Sequence, residues 1–265
     1  MSIIRCQEPV TEAQYREDPT LAKNYFDEAA ELGYGAELGA EWNPSETLSI
    51  KIPSSYSFKA IKIDMASWFA HTNREVQSIQ ASPVLSWVEV FGLEALRLVM
   101  GTDINYASLN VDSYGEKERL NKTNAFDISQ LSVGPYLTAR FRLLESLSLE
   151  GGIRYDYSTI AAENRDGSVD DSKTHKAFIY DAGLVLRPTA DIKVYTRYGT
   201  LFRYPFTDEQ ASLYGFGFDT FLKDLEAEKG SNLEAGLSYS LGELLSVDAS
   251  MYWMSLNDEI VYTIC

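Results

Sequence analysis

Only two cysteines occur in the 265 residues, Cys6 and Cys265, at opposite ends of the chain. That excludes a disulfide framework and a thiolate zinc site, which both need several spaced cysteines. Histidine is as scarce: His71 and His175 are far apart and share no motif, so neither is read as a metal ligand or general base. Positive charge is short too, with 23 Lys and Arg against 39 Asp and Glu and a formal net charge of −16. A phosphate-tracking surface needs clustered cations, so nucleic acid is excluded as a partner.

Nowhere does the chain hold the run of about 20 apolar residues that a membrane helix requires. Its start, MSIIRCQEPVTEAQYRED, lacks the charged and apolar regions of a signal peptide. Neither absence speaks against membrane strands, whose signal per segment is far weaker. What is present suits strands with one apolar and one polar face: 45% hydrophobic residues, 12% aromatics and 17 tyrosines, at a slightly negative mean hydropathy.

Residues 147–158, LSLEGGIRYDYS, set Leu147, Leu149, Gly151, Ile153, Tyr155 and Tyr157 against Ser148, Glu150, Gly152, Arg154, Asp156 and Ser158. This is the period of two of a half-buried strand. The pattern returns at 32–42, 47–53, 58–69, 96–106, 131–143, 176–187, 191–204, 231–241 and 244–262, and less regularly at 76–90. The count predicts an all-β, antiparallel chain of about eleven strands, with one short helix over LAKNYFDEAAEL at 21–32. Residues 1–31 are read as an N-terminal loop carrying that helix, and 32–265 as the β domain.

Connection lengths alternate. Tight turns are expected at 91–93, 144–146, 187–191 and 241–243, and long polar loops at 111–125, 159–175 and 205–230. Short turns on one side and long loops on the other fit an outer-membrane barrel. The alternating runs reach about 9 to 12 residues, beyond the ~5–6 usual in soluble sheets and close to the ~9–11 that cross a bilayer. Arg140, Arg142, Arg154 and Asp156, with Asp103 and Glu234, fall on the polar face and are expected to line a wet lumen. An Arg on the lipid side would cost about 2–4 kcal/mol at the midplane. Tyr155, Tyr157, Tyr198 and Trp253 fall near strand ends on the apolar face, as an interfacial girdle would. The acidic pairs Asp170–Asp171 and Asp258–Glu259 are read as solvated charges, so no metal site is expected.

Residues 194–239, VYTRYGTLFRYPFTDEQASLYGFGFDTFLKDLEAEKGSNLEAGLSY, resemble the late barrel region of TonB-dependent outer-membrane receptors. Tyr195, Tyr198, Gly199, Phe202, Arg203 and Pro205, then Glu209, Leu213 and Tyr214, then Leu225, Glu228, Lys229, Asn232, Glu234 and Gly236 carry the match. Ala227 departs from it, standing where the family has proline. The resemblance implies a 22-stranded barrel around an N-terminal plug, with residues 32–265 supplying about half the wall and lacking the plug and the last strands. A sheet left open would strand backbone groups in lipid, so the piece alone is expected not to insert stably.

The resemblance further implies a bacterial outer-membrane protein, set in outer-membrane lipid, that takes up a scarce ligand: a small molecule or metal chelate of the ferric siderophore, haem, cobalamin or glycan class. Energy would come from the TonB–ExbB–ExbD complex through an N-terminal region absent here. No cofactor and no enzymatic activity are expected. Tyr204, Phe206, Tyr214, Phe216 and Phe218 are the candidate ligand contacts in the long extracellular loop, and packing of that loop is the competing role for its aromatics. A passive porin-like barrel and a non-functional remnant are the alternatives.

Overall fold

The computed structural model describes residues 2–4, 12–17, 27–65, 70–213, 220–242 and 244–261. Strand β1 (Ser2–Ile4) and helix α1 (Glu12–Glu17) precede β2 (Glu28–Ser45), β3 (Leu48–Met65), β4 (Ala70–Ala81) and β5 (Val84–Val88). Four very long strands follow, β6 (Leu96–Tyr114), β7 (Lys122–Arg142), β8 (Leu147–Asn164) and β9 (Asp170–Thr189), and then β10 (Ile192–Arg203). A long loop carries α2 (Thr207–Gln210), β11 (Ala211–Ser212) and β12 (Thr220–Phe221), and the wall resumes with β13 (Glu228–Leu241) and β14 (Leu245–Asn257).

These strands build one antiparallel sheet in sequence order, apart from the small β11–β12 pair. Strands β4 and β5 share one rank, both pairing with β3 and β6, so the sheet has eleven ranks. The segments 47–53 and 58–69, read as two strands, are joined in one, β3, which pairs with β2 from Leu48 to Asp64; residues 66–69 lie outside the described residues. The helix expected at 21–32 is corrected over 28–32, where Glu28 to Leu32 pair with Asp64 to Ala60 as strand. Residues 21–26 lie outside the described residues; strand β2 begins at Glu28 rather than at 32, and Ser2–Ile4, read as loop, pair with it as β1.

The polar segments 111–125 and 159–175 are not loops but mostly strand, leaving connections of residues 115–121 and 165–169. Strands β6 to β9 run 18 to 21 residues, well beyond the ~9–11 that cross a bilayer. The excess toward the long connections stays paired strand to strand, Val111 with Phe126 and Ala162 with Ile128 and Asp171.

Register fixes the faces, since directly paired residues point the same way. One surface carries Leu147, Leu149, Ile153, Tyr155 and Tyr157 opposite Leu186, Leu184, Tyr180, Phe178 and Lys176. Its apolar groups are exposed, Ile153 at 49% and Phe178 at 60%, as a lipid-facing belt must be. Tyr56, Ile79, Tyr106 and Leu131 form one rung near its upper edge. Leu48, Trp87 and Leu98 form another toward the tight turns. No helix among the described residues is long and apolar enough to cross a membrane.

Candidate functional site: the inner face and its loop

On the other surface, charges pair. Arg154 bonds Asp156 on its own strand and Asp103 on β6, with a 3.2 Å contact from Nη2 to Asp156 Oδ1. Arg140 donates to Glu150 at 2.6 Å, and Arg197 to Asp181 at 2.9 and 3.2 Å. The Tyr195 hydroxyl donates to Glu234 at 2.6 Å. Gly236 leaves room for that tyrosine, since a Cβ there would run into its ring. Tyr136, Arg154, Asp181, Arg197, Asn232 and Glu234 line an inner-face concavity of about 450 Å³.

Arg140, Arg142, Arg154, Asp156, Asn232 and Glu234, the residues expected to face the lumen, share this surface by register: Arg142 pairs with Ser148, and Asn232 with Gly199. Trp253 faces outward beside Leu233, as expected for a girdle residue.

Toward the long loops the inner face changes. Val111, Phe126, Ile128, Ile160 and Ala162 are buried there, and Ala211, Leu213 and Phe221 from the 204–227 loop pack on them with Val169. The described parts of the loop thus fold inward over the tops of β6 to β9. Asn124 donates to the Leu213 carbonyl at 3.1 Å, and Gln210 lies 2.9 Å from Nε2 of the buried His175. Lys173 bonds Glu226 at 2.7 Å, which holds that carboxyl below the ordinary range, and Lys223 pairs with Asp171.

The hinge of this loop is Arg203. Its Nε and Nη2 make a two-pronged contact with Glu228, at 2.8 and 2.7 Å, and its Nη1 reaches Glu209 at 2.8 Å. Glu209 accepts from the Phe206 amide at 2.7 Å, and Glu228 from the Ile260 amide at 2.8 Å. One guanidinium thus ties both ends of the loop, a geometry suited to its planar fork. Pro205 is buried just past the strand end, where its missing donor costs nothing. Lys229 lies on the outer side with Phe202, and Leu225 closes a turn onto Leu222 at 3.3 Å.

The aromatic candidates divide. Phe206 is 61% exposed and stacks on Arg203 at 4.8 Å. Tyr204 turns inward against His175, ring centres 5.6 Å apart; its hydroxyl is buried without a partner, and burial pushes the phenol well up. Phe221 is packing. Tyr214, Phe216 and Phe218 lie outside the described residues. Sequence reasoning missed the roles of His175 and Gln210 in seating the loop. It counted Glu209 only as a matching letter; a cation followed by two acids in one motif was the available signal for the clamp.

Comparison with known proteins agrees with this architecture. The family model "TonB dependent receptor-like, beta-barrel" matches residues 9–265. Over 112 residues the chain is 34% identical to transferrin-binding protein A of Neisseria meningitidis serogroup B (strain ATCC BAA-335 / MC58), covering 42% of this chain and 12% of that protein. The Neisseria gonorrhoeae transferrin-binding protein A is 33% identical over the same length and coverage. The ferric citrate transporter FecA superposes with a TM-score of 0.70 over 93% of this chain and 38% of that one, at 14% identity. The ferric yersiniabactin uptake receptor FyuA from Yersinia pestis gives 0.65 over 88% and 37%, at 12% identity. The chain thus spans well under half the length of these relatives. With its apolar belt, paired inner charges and inward-folded loop, it belongs to the TonB-dependent receptor family and is barrel wall of the bacterial outer membrane.

Proposed function

We propose that this wall serves the energised uptake of an iron source across the outer membrane, in a form carried by an iron-binding protein of the transferrin kind. The observation that carries the reading is the 34% identity with transferrin-binding protein A. The ferric-ligand transporters that share the fold support iron as cargo, but at 14% and 12% identity they say nothing of its form.

In this reading each level of the wall has its own task. The tops of β6 to β9 with the described parts of the 204–227 loop form a vestibule that meets the iron carrier, and exposed Phe206 over Arg203 presents an aromatic and a cation to it. Below, Arg140, Arg154 and Arg197 are each paired with carboxylates, so the charges of this polar surface are already matched and iron or its chelate can pass over them without being held. Opening the route would draw on the TonB–ExbB–ExbD complex. No catalysis is proposed: His71 is bound by Asp64 at 2.8 Å and His175 by Gln210 at 2.9 Å, both in structural contacts.

Growth of the source bacterium under iron starvation tests this, with the gene deleted and restored. The deletion is expected to stop growth on iron-loaded transferrin as sole iron source and to spare growth on ferric citrate and haem. Loss of TonB should have the same effect on transferrin. Unimpaired growth on transferrin, or uptake that persists without TonB, would contradict the proposal.

A further inference from the structure

Proline has no amide hydrogen and is rarely found inside a central strand. Three prolines lie at nearly one height here: Pro53 inside β3, Pro135 inside β7, and Pro83 in the two-residue break between β4 and β5. Pro53 on β3 faces Ser82, and Ser82 donates to its carbonyl at 3.0 Å. One rung across, Thr102 on β6 donates to the Pro83 carbonyl at 3.1 Å. Thr102 in turn stands opposite Pro135 on β7. In an antiparallel ladder each such bond has a return bond from the partner's amide, and neither Pro53 nor Pro83 can supply it. Between β7 and β8 the pairing skips from Val133↔Tyr157 to Tyr136↔Arg154, leaving out Gly134 and Pro135.

The height is the middle of the apolar belt. Leu98, in the rung of Trp87, and Tyr106, in the upper tyrosine rung, each lie four residues from Thr102 along β6. Missing ladder bonds are costly there, because lipid offers no substitute partner. The neighbouring strands β9, β10 and β13 have no proline at this level, and Tyr195 to Arg203 pair with Gly236 to Glu228 without a gap.

Across the gap lies Arg154. Its guanidinium passes over Gly134, where a Cβ would collide with it, and joins Asp103 on β6 to Asp156 on β8. Strand β7 lies between those two. The side chain thus spans the place where the β7–β8 ladder is open.

We infer that the wall carries a mid-membrane proline seam across β3 to β8, a built-in yielding line, and that Arg154 is the positioning residue that staples it from the lumen side. The backbone is weakened on the lipid side, where nothing competes for bonds, and closed by a charge network that the lumen can reach. A lumen carboxylate competing for Arg154 would therefore loosen the wall without unfolding it. This rests on the barrel setting and not on the identity of the cargo.

Hydrogen exchange of the protein in outer-membrane vesicles tests the seam, read by mass spectrometry on peptides covering 97–107, 129–138 and 150–160 against 176–186, 193–202 and 231–239. The seam peptides are expected to exchange about tenfold faster than the controls at the same depth. Pro135→Ala restores an amide donor and should slow 150–160 severalfold, while Arg154→Met should speed 97–107 and 150–160 and leave 231–239 unchanged. Equal exchange in seam and control peptides would overturn the seam, as would a Pro135→Ala protein indistinguishable from wild type. If Arg154→Met alone changes nothing, the staple is overturned. Pro135→Ala does not disturb the charge network, so it keeps the test decisive where Arg154→Met fails to assemble.

Discussion

Strand β8 shows the same inner face doing opposite things at two heights. Below, Glu150 and Arg154 are half-exposed and find charged partners across the lumen side. Above, Ile160 and Ala162 are buried under a loop. The outer face inverts in step, apolar at Ile153, Tyr155 and Tyr157 and polar at Thr159 and Glu163. What a strand face carries is thus set by what covers it: lipid and lumen in the belt, loop and water above it.

Breaking the upper region should have the largest effect. Phe126→Ala removes a 2% exposed ring from the seat of the loop and should cost about 3–5 kcal/mol, seen as rapid protease cleavage within 204–227. In the belt, Ile153→Arg puts a charge on the lipid face one residue from native Arg154. It should cost about 2–4 kcal/mol and reduce the amount of protein assembled in the outer membrane. Arg203→Met leaves Glu228 and Glu209, both buried, without their cation. A loss of about 2–3 kcal/mol is expected, with the loop cleaved at both ends.

The strands of the belt were legible in the sequence because lipid on one side and lumen on the other enforce a period of two. Their upper ends were not, and the reason is the inversion. Along β6 the apolar positions shift from Ile104 and Tyr106 to Leu109 and Val111, along β7 from Leu131 to Ile128 and Phe126, and along β8 from Tyr157 to Ile160. A phase slip of one residue looks like the end of a strand when the covering loop is unseen. Arg203, Glu209 and Glu228 were legible as a motif, but their joint task depends on a turn that brings residues 203 and 228 opposite each other. His175 gave no signal, because a lone histidine is informative only beside its partner Gln210.

Smaller effects sharpen the contrast. Glu226 is held below the ordinary carboxyl range by Lys173. A depressed carboxyl contributes stability above its unfolded value and loses it as pH falls through the folded one. Cleavage near residues 222–227 should therefore rise as pH drops below about 4, and Lys173→Met should remove that dependence. The least effect is expected from Arg140→Gln, whose ion pair with Glu150 is largely solvated; thermal stability should move by no more than about 1 kcal/mol.

The most direct test of the two-level wall is a spin-label scan of residues 148–163, one cysteine at a time, with Cys6 and Cys265 replaced by serine, in outer-membrane vesicles. Labels at 149, 151, 153, 155 and 157 should meet oxygen dissolved in lipid, and those at 148, 150, 152 and 154 a water-soluble nickel complex. Above them the pattern should change phase, with 160 and 162 shielded from both and 159, 161 and 163 reached by nickel. An alternation that continues unchanged to 163, or labels at 160 and 162 as open to nickel as 150, would contradict the inward seat of the loop and with it the division of the wall into two levels.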